Sequence, residues 1–233
     1  MDRMAQARPS FAGCTVVFDL DGTIADTAPD LIEAANVALE AHGYPAASAE
    51  AIKPGVGYGT KAMLRAALAS QNIALPSDLK PLADALVAHY ADHIAVRTRP
   101  FPAFTDAANA LREAGATLAV CTNKREALAL KLLDALGLTP LFAAIAGGDT
   151  YAFHKPDPRH ILQVIADAGG DATRSVMVGD SEADIAAAQA AGVFSVAVSF
   201  GYASKPAQEL GANAVIDTFA DLPSVAARLL GLG

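Results

Sequence analysis

The chain reads as an α/β protein: a doubly wound parallel sheet covered by helices on both faces, with an all-helical domain inserted near its start. Three observations predict this. Short apolar runs rich in Val, Ile, Ala and Phe alternate with segments of helical periodicity, the pattern of parallel strands buried on both faces. After the first of these runs, no strand-like segment occurs until about Arg99, although a crossover to a parallel strand needs only about a dozen residues. Three of the runs also end abruptly in polar residues, before Asp19, Thr122 and Gly179-Asp180. Ligands of an open parallel sheet bind at the carboxyl ends of its strands, so these groups, far apart in sequence, are expected to converge.

The first strand is predicted to end at Phe18, where a β-branched and aromatic run from Cys14 meets Asp19 and Asp21. Thr27-Ala28-Pro29-Asp30 starts a helix with proline in its first turn. Leu31, Ala35, Ala38, Leu39 and His42 then keep helical spacing up to Gly43. Met63, Leu64, Ala67 and Leu68 predict a second helix, and Leu82, Leu86, Tyr90 and Ile94 a third. The glycine-rich stretch 54–61 between them lacks a preceding strand and the full spacing of a nucleotide-binding loop, so it is read as a flexible loop of the insert. Pro100-Phe101-Pro102 marks the return. From there strands are predicted at 117–121, 142–146, 175–178, 194–198 and 214–216, and helices at 105–114, 124–136, 157–168, 182–191 and 223–230. The expected division is a loose N-terminus (1–12), a sheet domain (13–26 and 99–233) and a helical cap (27–98).

Composition narrows the function classes. With 53% hydrophobic residues in 233, the chain can build a sizeable core. It has no apolar run long enough to span a bilayer, and Arg3 and Arg8 are not followed by the apolar stretch of a signal peptide. Cys14 and Cys121 sit in apolar strands and read as buried thiols of a cytoplasmic protein. A net charge of −8 argues against nucleic acid as a partner. It also disfavours an anionic substrate, unless a metal and a few local cations outweigh the global field.

The chemistry concentrates at the strand ends. Two carboxylates two residues apart at the mouth of an apolar strand are costly to bury, and suit a divalent cation such as Mg²⁺ bound beside a phosphate. Asp19 suits a nucleophile, because a carboxylate is ionised without a helper base. The blander alternative makes both acids turn residues. Thr122 and Asn123 can hold a phosphate oxygen or simply cap a helix. Lys155, fixed before prolines, can place a charge on phosphate or lie in solvent. Asp180 ends a strand, and Asp184 lies four residues on, on the same side of a helix start.

Asp19-Leu20-Asp21-Gly22-Thr23 resembles the first signature of the haloacid dehalogenase-like hydrolases, a superfamily of Rossmann-like enzymes that are mostly Mg²⁺-dependent phosphatases. Thr122-Asn123, Lys155 in His154-Lys155-Pro156-Asp157-Pro158, and Gly179 to Asp184 resemble its second, third and fourth motifs, in family order. The helical insert directly after the first motif resembles the subgroup with a C1-type cap. The resemblance implies that Asp19 forms an aspartyl-phosphate and that Asp21 protonates the leaving oxygen and then activates water. It implies Mg²⁺ on Asp19, Asp180 and the backbone carbonyl of Asp21. Asp184 would hold metal-bound water or pair with Lys155. Gly22, Thr23, Thr122, Asn123 and Lys155 would surround the phosphate.

Ser199-Phe200-Gly201-Tyr202 and the segment 211–217 resemble bacterial phosphoglycolate phosphatases, which makes 2-phosphoglycolate the expected substrate. Other phosphatases (for a sugar phosphate or N-acetylmuramic acid 6-phosphate), a phosphomutase, and a silent interaction protein on the same fold are the rivals. Substrate choice is expected from the cap, with Gly57, Tyr58, Lys61 and Arg65 as candidates. The expected partner is a small phosphorylated metabolite, with neither nucleic acid nor membrane, and the protein a monomer or homodimer.

Overall fold

The computed structural model of the protein describes residues 9–232. Most of the expected loose N-terminus, 1–8, lies outside the described residues. Its last part is corrected: Phe11 is 1% exposed and its N–H donates to the Ala114 carbonyl at 2.7 Å, so packing begins ahead of residue 13.

The chain enters through β1 (Thr15–Phe18), a strand buried along its whole length. A two-residue strand, β2 (Ala25–Asp26), leads out of the sheet into α1 (Ala28–Ala41), the single-turn α2 (Ala49–Ile52), α3 (Thr60–Ser70) and α4 (Lys80–Asp92). The chain returns through β3 (Arg99–Pro100), which pairs antiparallel with β2. Then follow α5 (Phe104–Glu113), β4 (Thr117–Cys121), α6 (Glu126–Ala135), β5 (Ala144–Ala146), α7 (Pro158–Asp167) and β6 (Ser175–Gly179). The chain closes with α8 (Glu182–Ala191), β7 (Phe194–Val198), β8 (Ala214–Ile216) and α9 (Leu222–Leu229).

Six strands form one parallel sheet in the order β5-β4-β1-β6-β7-β8. On one face Phe18, Phe104 and Phe219 pack ring to ring, at centroid distances of 5.2 to 6.4 Å. On the other, Val17, Ala119 and Met177 meet Ile161 and Val164 of α7 and Ala187 and Ala188 of α8. Burying one such large apolar side chain contributes about 1.5–3 kcal/mol. Register then positions the site. Phe18 lies level with Val120 of β4 and Val178 of β6, each one residue before its strand ends, so Asp19, Thr122 and Asp180 leave the same edge of the sheet.

The inserted helices have their own apolar seam, where Leu31, Ala35 and Leu39 of α1 and Leu82, Leu86 and Tyr90 of α4 are all buried. Their attachment is clasped by Asp30. Its buried carboxylate accepts the N–H groups of Arg97 (2.9 Å) and Thr98 (2.8 Å) and the Thr98 hydroxyl (2.8 Å), tying the first turn of α1 to the chain that returns to the core.

Three local expectations are corrected. The stretch 54–61 is not an irregular loop: Lys53–Tyr58 is a 3₁₀ turn that runs into α3. A Cβ on Gly55 would stand 2.6 Å from the backbone of Met63, so only glycine lets this turn lie against α3. The helix expected from 124 starts at Glu126, because Lys124 turns into the site instead. The strand expected from 142 starts at Ala144, after a 3₁₀ turn at Thr139–Leu141.

Candidate active site

Asp19 leaves β1 with its N–H donating to the Val178 carbonyl (2.9 Å), and its side chain is buried under the carboxyl edge of the sheet. Lys155, from the loop before α7, is 2% exposed. Its ammonium donates to Asp19 Oδ1 (2.9 Å), Asp184 Oδ1 (2.5 Å) and the Cys121 carbonyl (2.6 Å), which uses all three of its protons. Burial alone would lower the Lys155 pKa, but Asp184 and Asp19 outweigh it and hold the group charged. The loop carrying Lys155 is fixed from two sides. The Asn123 amide donates to the Lys155 carbonyl (2.9 Å), and the Lys155 N–H donates to His160 Nδ1 (3.2 Å). Burial, with Lys155 beside it, pushes His160 down to about 4 and keeps it a neutral acceptor.

Carboxylate oxygens of Asp19, Asp180 and Asp184 lie within 4.8 Å of one another. Burial pushes Asp19 up to about 6, against the pull of Lys155 and with the push of Asp184. Burial and the charges of Asp19 and Asp184 likewise raise Asp180 well above the usual carboxylate range. With all three ionised, the carboxylates would set three negative charges against one ammonium, an excess of two in a buried cluster. An all-oxygen donor set with that excess fits a hard divalent cation. Asp180 also accepts the Thr23 hydroxyl (3.0 Å) and the Tyr202 N–H (2.6 Å). Asp184 differs, since its second oxygen is taken by the N–H (2.9 Å) and hydroxyl (2.7 Å) of Ser181 in a capping box. Asp184 thus takes three donors, one of them an ammonium, against two neutral donors on Asp180, and suits an outer place around an ion.

Asp21 faces a different cation. Both its oxygens lie against Lys124 Nζ, at 2.9 and 3.0 Å. Lys124 is itself buried, donates to the Tyr90 hydroxyl (3.0 Å) and stands 4.4 Å from the centre of that ring. The site therefore contains two carboxylate–ammonium pairs, Asp19–Lys155 and Asp21–Lys124.

Thr122 is buried beside this group and its hydroxyl accepts the Lys124 N–H (3.3 Å). Its hydroxyl proton, with the N–H groups of Asp21 and Asn123, donates to no described acceptor. The Gly22 N–H, the Thr23 hydroxyl and the Asn123 side chain, from residues expected around the phosphate, are engaged within the protein. The Gly22 N–H is spent on the Ala25 carbonyl (3.0 Å), the Thr23 hydroxyl on Asp180 and the Asn123 amide on Lys155. Glycine is nonetheless required at 22: φ is +82° and a Cβ would meet Asp180 Oδ2 at 2.4 Å.

Of the cap candidates, Tyr58 reaches the sheet domain, its hydroxyl donating to Glu182 (2.7 Å) and lying 3.2 Å from Ser204 Oγ. Gly57 is exposed next to it. Lys61 and Arg65 are exposed on α3 and make no hydrogen bond or ion pair among the described residues. The structure does not bring them to the carboxylates. Cys14 and Cys121 are free and buried, and burial pushes the Cys121 thiol up to about 12. No helix among the described residues is long and apolar enough to cross a membrane.

Sequence reasoning missed Lys124, Tyr90, Asp30 and Tyr202. Lys124 follows Thr122-Asn123 directly, and that adjacency was an available signal. Tyr202 bridges both regions: its N–H binds Asp180, while its hydroxyl donates to Asp26 (2.5 Å) and accepts the Ala28 N–H (2.9 Å).

A buried carboxylate cluster at the carboxyl edge of a doubly wound sheet, under an inserted helical segment, defines an α/β enzyme with a capped acidic centre. Comparison narrows the class. The model of the haloacid dehalogenase-like hydrolases matches residues 16–198, and the chain belongs to that family. It is 47% identical to a phosphoglycolate phosphatase of Agrobacterium fabrum, over 93% of this chain and 94% of that one. It is 42% identical to a phosphoglycolate phosphatase of Caulobacter vibrioides, over 94% and 92%. The crystal structure of a predicted phosphoglycolate phosphatase from Haemophilus somnus 129PT superposes with a TM-score of 0.84 at 28% identity, covering 93% of this chain and 98% of that one.

Proposed function

We propose that this enzyme, a phosphatase by its family and relatives, hydrolyses 2-phosphoglycolate to glycolate and phosphate. The observation that carries the reading is the pair of acids at the end of β1, each held by its own lysine. One carboxylate is thereby aimed into the cluster and the other across its mouth, which separates a nucleophile from an acid–base.

In this reading a carboxylate oxygen of Asp19 attacks phosphorus and the P–O bond to the leaving alkoxide breaks. Asp21 delivers its proton to that leaving oxygen, then takes one from the water that attacks the aspartyl-phosphate. Phosphate departs and Asp19 is restored. The Thr122 hydroxyl proton and the backbone N–H groups of Asp21 and Asn123 hold the phosphoryl oxygens as charge shifts among them, and Lys155 adds its positive charge from beside Asp19. Asp19, Asp180 and the backbone carbonyl of Asp21 would hold a Mg²⁺ ion, with Asp184 outside them. Such an ion supplies charge neutralisation between nucleophile and phosphate.

A panel of phosphate monoesters assayed with and without Mg²⁺ tests this. It comprises 2-phosphoglycolate, sugar phosphates, N-acetylmuramic acid 6-phosphate and an aryl phosphate. The expected result is Mg²⁺-dependent phosphate release with the highest kcat/KM on 2-phosphoglycolate. A higher value on another ester would replace the substrate, and a requirement for a bisphosphate would replace hydrolysis by mutase chemistry.

A further inference from the structure

We propose that Lys124 and Tyr90 together form the subsite for the substrate's carboxylate. The proposal rests on 2-phosphoglycolate being the substrate and assigns the part of the enzyme that selects it.

The size of that molecule sets the geometry. One methylene separates its ester oxygen from its carboxyl carbon, so a carboxylate oxygen lies within about 4 Å of the ester oxygen. Asp21, to protonate the ester oxygen, must come within roughly 3 Å of it. The group that reads the carboxylate must therefore be a close neighbour of Asp21. Lys124 Nζ is 2.9 Å from Asp21 Oδ1. The other candidate cations are placed otherwise: Lys155 lies among Asp19, Asp184 and the Cys121 carbonyl rather than at Asp21, and Lys61 and Arg65 are exposed on α3.

Tyr90 supplies the second, independent observation. It is 2% exposed, on the cap helix α4, and its hydroxyl oxygen accepts from Lys124. A phenol both accepts and donates, yet no described group accepts the Tyr90 proton. A buried donor left unmatched is costly, and this one lies beside an ammonium at the acid–base residue. Burial also raises the phenol to about 12, which keeps its proton in place. An anion seated there would accept the Tyr90 proton and share the Lys124 ammonium with Asp21. Because Tyr90 belongs to the cap and Lys124 to the sheet domain, the subsite is complete only with the two halves together. A neutral ester group would leave the Tyr90 proton unmatched, which is how a site rejects the wrong substrate.

The test compares 2-phosphoglycolate with ethyl phosphate, which replaces the carboxylate by hydrogen. Lys124 also touches Asp21, so its loss lowers turnover of both esters, and the readout is the ratio of their kcat/KM values. We expect Lys124→Met to lower that ratio by about 100-fold or more, the scale for removing one partner of a buried charge pair. Tyr90→Phe, which keeps the ring, should lower it by roughly 10-fold, mostly through KM. Lys124→Arg should restore part of the ratio. If Lys124→Met does not fold, as thermal unfolding would show, Tyr90→Phe and Lys124→Arg decide. Equal losses on both esters would overturn the proposal and leave Lys124 as a positioning residue for Asp21. A wild-type enzyme with no preference for 2-phosphoglycolate would overturn the substrate reading and this subsite with it, before any variant is made.

Discussion

The carboxyl edge of the sheet and the helical insert above it face each other across the site, and they are built on opposite terms. At the sheet edge, polar groups are buried and doubly engaged: Lys155 donates to three acceptors, Asp180 takes two donors and Asp184 is bound at both oxygens. The insert is held by few polar bonds. Among the described residues they include the Asp30 clasp and the Ala28–Tyr202 bond at its root, Tyr58 to Glu182 at its tip, Lys131 to the Ala91 carbonyl (2.5 Å) and the Lys124–Tyr90 pair. The difference teaches a division of labour. Groups proposed to handle the phosphoryl unit are locked in place, as electrostatic preorganisation requires. The half proposed to meet the rest of the substrate is tethered by separable bonds, which suits a cap that admits and releases ligands.

Breaking the locked half should have the largest effects. Asp19→Asn replaces the proposed nucleophile by an amide of the same shape, and turnover should fall by about 10⁴-fold or more with folding intact. Phosphate release and circular dichroism on purified protein check this, and substantial residual activity would refute the covalent route. Next in size, Asp180→Ala should weaken Mg²⁺ affinity, measured by titration calorimetry, more than Asp184→Ala does. Loss of an outer group is expected to cost about 10–100-fold. Equal affinity in wild type and Asp180→Ala would contradict the ligand assignment.

The tethered half should respond more gently, and in different observables. Asp30→Asn leaves the three donors of Arg97 and Thr98 with a poorer acceptor, and should cost about 1.5–3 kcal/mol of stability, read from the thermal midpoint. Because Asp30 lies at the root of the insert, KM should rise along with that loss. Tyr58→Phe removes one half-exposed hydroxyl contact, worth about 0.5–1 kcal/mol. Its expected mark is a two- to five-fold rise in KM with kcat and stability unchanged. A large fall in kcat would mean that the 3₁₀ turn carrying Tyr58 is part of the locked half after all.

The same contrast explains what could be read in advance. Strand ends of the sheet were legible because burial on both faces leaves continuous apolar runs, and a carboxylate or Gly-Asp at the end of such a run stands out. Asp19 and Asp180 are of this kind, and Thr122 ends the run of β4 with a hydroxyl. Lys124 and Tyr90 were not legible as a pair, because each reads locally as something ordinary: a charge at a helix start and one apolar position of an amphipathic helix. The 3₁₀ turn at Lys53–Tyr58 was hidden by its glycines, which look like freedom but at Gly55 serve close packing on Met63.

By itself, then, the sequence determined the alternation of strands and helices, the place of the insert and the acids at the mouth of β1, all consequences of short-range periodicity and of polar residues interrupting it. Only the tertiary structure decided which lysine serves which acid. Lys155 and Lys124 are 31 positions apart, and nothing local distinguishes their targets; the parallel register of β1, β4 and β6 places one ammonium between Asp19 and Asp184 and the other against Asp21. It also decided that Gly22 and Thr23 support Asp180, because a hydroxyl has one proton and the fold puts Asp180 Oδ1 3.0 Å from it. Charge pairing in a buried site depends on distances of a few ångströms, and those are set by packing between segments far apart in the chain.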